Sequence, residues 1–96
     1  MPTETLRIER LDTALVFTGA LNRATVATAW RQTSQLPPGI EQLDIRAVSP
    51  LDSTGMALLA TLTARLPNAQ IVGQPAGFTE LREAYRLDAQ LQMSVS

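Results

Sequence analysis

The sequence predicts a single α/β domain with a mixed β-sheet, and three observations lead to that prediction. The chain has 96 residues, which is enough for one domain and too few for two. Hydrophobic residues make up 45% of it and charged residues 18%, a balance typical of a compact core. Short alternating segments are followed by longer segments of helical periodicity, as in α/β folds. The predicted order over residues 1–96 is β-β-α-β-α-β-α-β, with the helices mainly on one face of the sheet.

The first two strands are predicted to form a hairpin. Apolar and polar residues alternate between Leu6 and Leu11, which indicates a half-buried strand. The apolar run from Ala14 to Thr18 is a second strand that we expect to end at Gly19. Asp12-Thr13 between them is typical of a tight turn, so the two strands should be antiparallel.

A helix is expected after this hairpin. Asn22 is a suitable N-cap for a helix from about Arg23 to Gln35, which Pro37-Pro38-Gly39 would end. Apolar residues recur along it at helical spacing, and Trp30 should be its main anchor in the core.

The second half of the chain alternates strands with helices. Leu43 to Val48 predicts a third strand, which leads into Asp52-Ser53-Thr54-Gly55 and then a helix through Leu66. Ala69 to Gly73 predicts a short strand of the fully buried type. A third helix should run from Pro75 or Ala76 to about Arg86, with an apolar face made of Phe78, Leu81 and Tyr85. Alternation predicts a last short edge strand containing Leu91, Met93 and Val95.

The residue types that are missing exclude several chemistries. The chain has no Cys and no His, and all 8 basic residues are Arg. Disulfides, zinc sites, Ser-His catalysis, Schiff bases and a P-loop lysine are therefore excluded. Asp52 could act as a general base toward Ser53, but an aspartate is a weak base unless burial raises its pKa. We expect a binding or regulatory module without enzyme activity, cofactor or metal.

Charge and hydropathy narrow the choice of partners. The net charge is -1 and no basic block is present, so a nucleic-acid partner is not expected. The N-terminal segment has no apolar stretch typical of a signal peptide. The longest apolar run, Met56 to Ala60, is far too short to span a bilayer. We expect a cytoplasmic protein that does not insert directly into the membrane.

The Asp52-Ser53-Thr54-Gly55 turn has two interpretations. Side chains of this kind cap the exposed N–H groups at the start of a helix, which stabilises it by about 0.5–2 kcal/mol. A helix N-terminus also favours negative charge, so a phosphate on Thr54 or Ser53 would be tolerated and would change the surface that meets a partner. A kinase would have to supply that phosphate.

The helix after this turn has an unusual outer face. Its apolar residues fall in one broad sector. The opposite sector consists of Thr54, Ala57, Ala60, Thr61, Ala64 and Arg65. These side chains are mostly small, and a partner could approach closely. Alternatively, alanine is there only because it is the best neutral helix former.

The sequence resembles the STAS domain, a family named for sulfate transporters and anti-sigma-factor antagonists. The similarity extends over essentially the whole chain. Gly19-Ala20-Leu21-Asn22 resembles the family's G-x-L-D/N element, and Leu51 to Leu59 contains its D-S-[ST]-G element. Tyr85-Arg86-Leu87 resembles its final turn.

Two branches of the family are candidates. In anti-sigma-factor antagonists the hydroxyl before the glycine, here Thr54, is phosphorylated by an anti-sigma kinase. In MlaB-like proteins of the Mla phospholipid-transport ABC system, the important hydroxyl follows the aspartate and is here Ser53. That branch commonly has Thr at this position and a glycine where Thr54 stands, so the chain departs from its pattern. Trp30 and the Ala57-Leu58-Leu59 run nevertheless resemble the MlaB-like branch more closely.

The MlaB-like resemblance implies a cytoplasmic subunit that binds the ABC ATPase and, through it, a permease complex at the inner membrane. It would support assembly or activity of the transporter and help to maintain outer-membrane lipid asymmetry. The alternative is an anti-sigma-factor antagonist switched by phosphorylation of Thr54 or Ser53. In both cases the expected contact or regulatory residues are Asp52, Ser53, Thr54, Gly55, Ala57, Thr61 and Arg65.

Overall fold

The protein opens with the predicted hairpin. A computed structural model describes residues 5–36 and 38–85. Strand β1 (Leu6–Leu11) pairs antiparallel with β2 (Ala14–Leu21), and Leu11 lies opposite Ala14. Asp12 adopts a left-handed conformation, with φ of 58°, in the two-residue turn between them. The sequence predicted the hairpin, its turn and its antiparallel pairing correctly.

Two parallel strands extend the hairpin into a mixed sheet. Strand β3 (Gln42–Leu51) pairs parallel with β2, and β4 (Gln70–Val72) pairs parallel with β3. The sheet order is β1-β2-β3-β4, which confirms the predicted α/β class with a mixed sheet. The interpretation of the last of these strands as fully buried is wrong. It lies at the edge of the described sheet, with Gln70 exposed and the other two residues half-buried.

Three helices follow the second, third and fourth strands. They are α1 (Val26–Gln32), α2 (Ser53–Arg65) and α3 (Phe78–Ala84). The order β-β-α-β-α-β-α agrees with the prediction as far as the described residues reach. Arg86 and the predicted last strand of Leu91, Met93 and Val95 lie outside them.

The core lies between the helices and one face of the sheet. Ile8 of β1 lies opposite Phe17 of β2, and both contribute to the hydrophobic core. The next pair, Arg7 and Thr18, belongs to the other face and is exposed. Helix α2 contributes the largest share of the helical side, with fully buried Met56, Leu58, Leu59 and Leu62.

Helix α1 differs most from its prediction. It begins at Val26 rather than Arg23, because the residues from Asn22 to Thr25 form a separate turn. The Asn22 side chain accepts from the Ala24 N–H (3.0 Å) inside that turn and does not cap the helix. Trp30 is 40% exposed, so it is not the main anchor. Ala29, one residue earlier on the helix, is fully buried there instead.

Strand β2 does not end at Gly19 as predicted but continues to Leu21. Gly19 has φ of 104°, and a Cβ on it would overlap the carbonyl oxygen of Thr5. The glycine therefore permits an irregularity inside the strand, where the register against β3 shifts between Gly19 and Leu21.

Helix α3 is shorter than predicted. Gly77, with φ of 86°, takes the N-cap position, so the helix begins at Phe78 instead of Pro75 or Ala76. Phe78 is buried and Leu81 is half-buried, as their shared face predicts. Tyr85 follows the last helical turn and is 47% exposed, so it does not extend the buried face.

Candidate functional site

The candidate site lies where β2 and β3 end together. These strands are parallel, and Leu21 at the end of β2 lies opposite Leu51 at the end of β3. The turn after each strand leads to a helix, so both turns lie at the same edge of the sheet. This is the edge at which α/β folds usually place their functional residues.

Asp52 connects the two turns. Its Oδ1 accepts the N–H of Gly55 (3.0 Å) and the hydroxyl of Thr54 (2.6 Å). Its Oδ2 accepts the N–H of Arg23 (3.0 Å), which belongs to the turn after β2. The predicted capping role is therefore confirmed for Asp52, and the same carboxylate also holds the neighbouring turn in place.

This environment favours the charged form of Asp52. Partial burial by itself raises the pKa of the carboxyl. The Thr54 hydroxyl and the N–H groups of Gly55, Arg23 and Thr54 donate to the carboxylate, and together they lower its pKa below the ordinary value. Asp52 is consequently an ionised acceptor near neutral pH.

Gly55 allows α2 to begin directly against the end of β2. A Cβ at this position would overlap the carbonyl oxygen of Leu21 and lie 2.9 Å from Cδ1 of Leu51. The same Leu21 carbonyl accepts the N–H of Asp52 (3.3 Å). The glycine in the D-S-T-G element is thus required by close packing between helix and strand.

The two adjacent hydroxyls have different surroundings. The Thr54 side chain is half-buried, and its hydroxyl donates to Asp52. Ser53, the first residue of α2, is exposed, and its hydroxyl has no hydrogen bond to the rest of the described chain. A partner or an enzyme could reach Ser53 without disturbing the cap, whereas modification of Thr54 would remove its bond to Asp52.

The outer face of α2 is open to solvent along most of its length. Ala57, Thr61, Ala64 and Arg65 are exposed, as the helical periodicity predicts. Ala60 is half-buried. The Thr61 hydroxyl donates to the carbonyl of Ala57 (3.0 Å), one turn earlier, so both predicted contact positions lie on one continuous strip.

Arg65 has a structural role that the sequence did not reveal. Its guanidinium donates to the carbonyl of Thr33 (2.9 Å) and to that of Ser34 (3.1 Å), both just after α1. It therefore links the C-terminal ends of α1 and α2. With the bond between Arg23 and Asp52 at the opposite ends, the two helices are joined at both ends.

Two participants in this site were missed by sequence reasoning. The N–H of Arg23 and the carbonyl of Leu21 are backbone groups, so no side-chain pattern identifies them. The position of Asn22 between a strand and a helix was the available signal that a second turn lies at this edge.

The described residues contain no group of three or more acidic side chains that could hold a metal ion. Asp44, in β3, bonds to Arg46 through both carboxylate oxygens (2.8 and 3.1 Å). The arginine lowers the pKa of this carboxyl.

Among the described helices, none has the length and apolar character needed to cross a membrane.

Comparison with known proteins does not assign the chain to a family. No protein-family model matches the chain. No curated protein matches it at a significant level either.

Proposed function

We propose that this chain is a non-catalytic STAS-like subunit that binds the ATPase of an Mla-type phospholipid-transport ABC complex. It would support assembly or activity of that complex and so help to maintain outer-membrane lipid asymmetry. It would lie in the cytoplasm and reach the inner membrane through its partner subunits. The observation that supports this most is the exposed Ser53 at the head of an open α2 face, on a turn that Asp52 holds in place.

The chemistry of the turn favours binding over catalysis. A general base works best when its pKa lies near the working pH, and the hydrogen bonds to Asp52 lower its pKa instead. Its carboxylate already accepts three donors within 3.0 Å, and none of them is the hydroxyl of Ser53. The turn is therefore suited to presenting Ser53 to a partner.

Co-purification with the Mla-type ATPase of the same genome tests the proposal. The wild-type chain should form a stable complex with this ATPase. Ser53→Arg and Ala57→Arg place a long side chain on the exposed strip, and each should weaken binding about tenfold or more because its bulk prevents close approach of the partner. Thr18→Arg makes a similar change on the opposite face of the domain and should bind as the wild type does.

Two results would reject the transport proposal. One is failure of the wild-type chain to bind the ATPase. The other is normal retention of outer-membrane lipid asymmetry in cells that contain only the Ser53→Arg or Ala57→Arg variant at normal protein levels.

The second candidate is an anti-sigma-factor antagonist controlled by an anti-sigma kinase. Its variant with phosphorylation at Ser53 is favoured by the accessible hydroxyl there, whereas Thr54, the position of the family pattern, is half-buried and bonded to Asp52. Phosphopeptide mass spectrometry after incubation with the cognate kinase tests this candidate. Phosphate on neither Ser53 nor Thr54, together with normal signalling by Thr54→Ala, would reject it.

A further inference from the structure

The charges of this protein are unevenly distributed. The two segments that contain α1 and α2, residues 23–35 and 53–65, include three arginines and no Asp or Glu. All nine acidic residues of the chain lie elsewhere, although the net charge of the whole chain is -1. The three arginines are Arg23, Arg31 and Arg65. Together with Trp30 we call them the arginine face.

Within residues 5–36 and 38–85, no carboxylate forms an ion pair with an arginine of this face. Arg65 donates to two backbone carbonyls, and Arg31 donates to the hydroxyl of Thr28 (3.2 Å). The guanidinium of Arg23 has no bond to the described residues, since only its backbone N–H contacts Asp52. Two ion pairs of the sheet join Arg7 to Glu9 and Arg46 to Asp44.

An exposed aromatic side chain lies on the same helix layer. Trp30 is 40% exposed, and it is one helical turn before Thr33, whose carbonyl accepts the guanidinium of Arg65. Trp and Arg are the residue types that most often dominate protein interfaces. Glu80 and Glu83 are exposed on α3, and Asp52 caps the start of α2, so these acidic side chains border the exposed surface of α1 and α2.

We infer that the arginine face binds an acidic surface of the partner ATPase, on which carboxylates surround an apolar site that covers Trp30. This inference rests on the proposed function and names the chemistry of the partner. Carboxylates match the guanidinium groups by charge and by hydrogen-bond geometry. Glu80 and Glu83 would repel the same acidic surface, which orients the partner over α1 and α2.

The experiment compares charge reversals on two faces of the domain. The double variant Arg23→Glu/Arg31→Glu leaves the Arg23 backbone bond and the Arg65 link available, and it should weaken ATPase binding about tenfold or more. Arg7→Glu makes a reversal on the exposed face of the sheet and should change the dissociation constant less than about twofold. Binding of the wild type should weaken as salt rises, and binding of the double variant should respond less.

A second variant separates loss of the positive charges from the gain of negative ones. Arg23→Gln/Arg31→Gln removes the two charges without introducing new ones, and it should weaken binding by a smaller factor in the same direction. Circular dichroism establishes that each variant retains its helices. Reversal of one acidic residue on the ATPase should partly restore binding of Arg23→Glu/Arg31→Glu.

The outcomes distinguish the inference from the proposed function. If the wild-type chain does not bind the ATPase, both are wrong. If the wild type binds and the folded double variants bind equally well, the inference is wrong and the proposed function stands.

A third measurement tests binding to vesicles of phosphatidylglycerol and phosphatidylcholine. Binding of the isolated wild type to these vesicles, lost in Arg23→Glu/Arg31→Glu, would assign the arginine face to a lipid surface and overturn the inference.

Discussion

The two turns at the candidate functional edge of the sheet follow neighbouring parallel strands but are built differently. The first, Asn22 to Thr25, is stabilised by its own residues and by the end of β2, and its Arg23 N–H bonds to Asp52. Asn22 accepts the Ala24 N–H (3.0 Å), and the Thr25 hydroxyl donates to the carbonyl of Ala20 (2.9 Å). The second turn is a single residue, Asp52, and its carboxylate contacts both its own helix and the first turn.

The two turns differ in how far their side chains are exposed to solvent. Asn22 and Thr25 are buried, and helix α1 begins at Val26 without a side-chain cap. Helix α2 begins at once after Asp52, so Ser53 is held at a fixed and exposed position. We expect packing at the second turn to contribute most to the free energy of unfolding, followed by the Asp52 charge and then the two hydroxyls.

Gly55→Ala should have the largest effect on stability. Alanine is favoured over glycine by about 1 kcal/mol in a helix interior. Here the new Cβ would overlap the Leu21 carbonyl, so α2 must move away from β2, and the free energy of unfolding should fall by about 3 kcal/mol. Urea denaturation measures the loss. Ala64→Leu enlarges an exposed residue of the same helix and should change stability by less than about 0.5 kcal/mol.

Asp52→Ala should have the next largest effect, about 2 kcal/mol, because it removes the cap of α2 and the contact with Arg23. Thermal unfolding measures this loss. Hydrogen exchange should also show faster exchange of the Arg23 and Gly55 amides. A variant as stable as the wild type would contradict the assigned role of the carboxylate.

The contribution of the Asp52 charge should depend on pH. Its pKa is lowered on folding, so its stabilisation is fully present above the ordinary value of 3.8 and is lost as pH falls through the lower folded value. The difference in unfolding free energy between wild type and Asp52→Asn should be constant from about pH 5 to 7 and decrease below that range. Asp44, whose pKa is also lowered, is present in both proteins. A difference that grows on acidification would contradict the hydrogen bonding of Asp52.

The two hydroxyls should give the smallest and most unequal effects. Thr54→Val keeps the shape of the side chain but loses the bond to Asp52, at a cost of about 1 kcal/mol. Ser53→Ala removes a hydroxyl that has no bond to the described residues and should cost less than about 0.5 kcal/mol. Equal losses in chemical denaturation would mean that Ser53 also takes part in the cap.

Local patterns predicted much of this fold. The Asp12-Thr13 turn, the mixed sheet and the buried and exposed sides of α2 follow from alternation and helical periodicity over neighbouring residues. Capping by the Asp52 turn was one of two interpretations of the sequence, and it followed from the preference of Asp, Ser and Thr for the N-cap position.

The features that were not predicted depend on residues far apart in the chain. Strand β2 continues through Gly19, where the Thr5 backbone leaves no room for a Cβ, and Arg65 bonds to carbonyls more than 30 residues away. Trp30 is partly exposed, and Ala29 occupies the buried position of α1. Neither composition nor residue spacing indicates which distant residues come into contact, so these contacts could be found only in the folded structure.

The bond between the Arg23 backbone and Asp52 has an evolutionary consequence. Because the donor is a main-chain N–H, any residue except proline can supply it at position 23. Position 53 is similarly unconstrained by the cap. Mutations at these two exposed positions could therefore change partner preference while Asp52 and Gly55 preserve the fold. Paralogues of this domain could diverge in recognition without a loss of stability that would otherwise have to be compensated elsewhere.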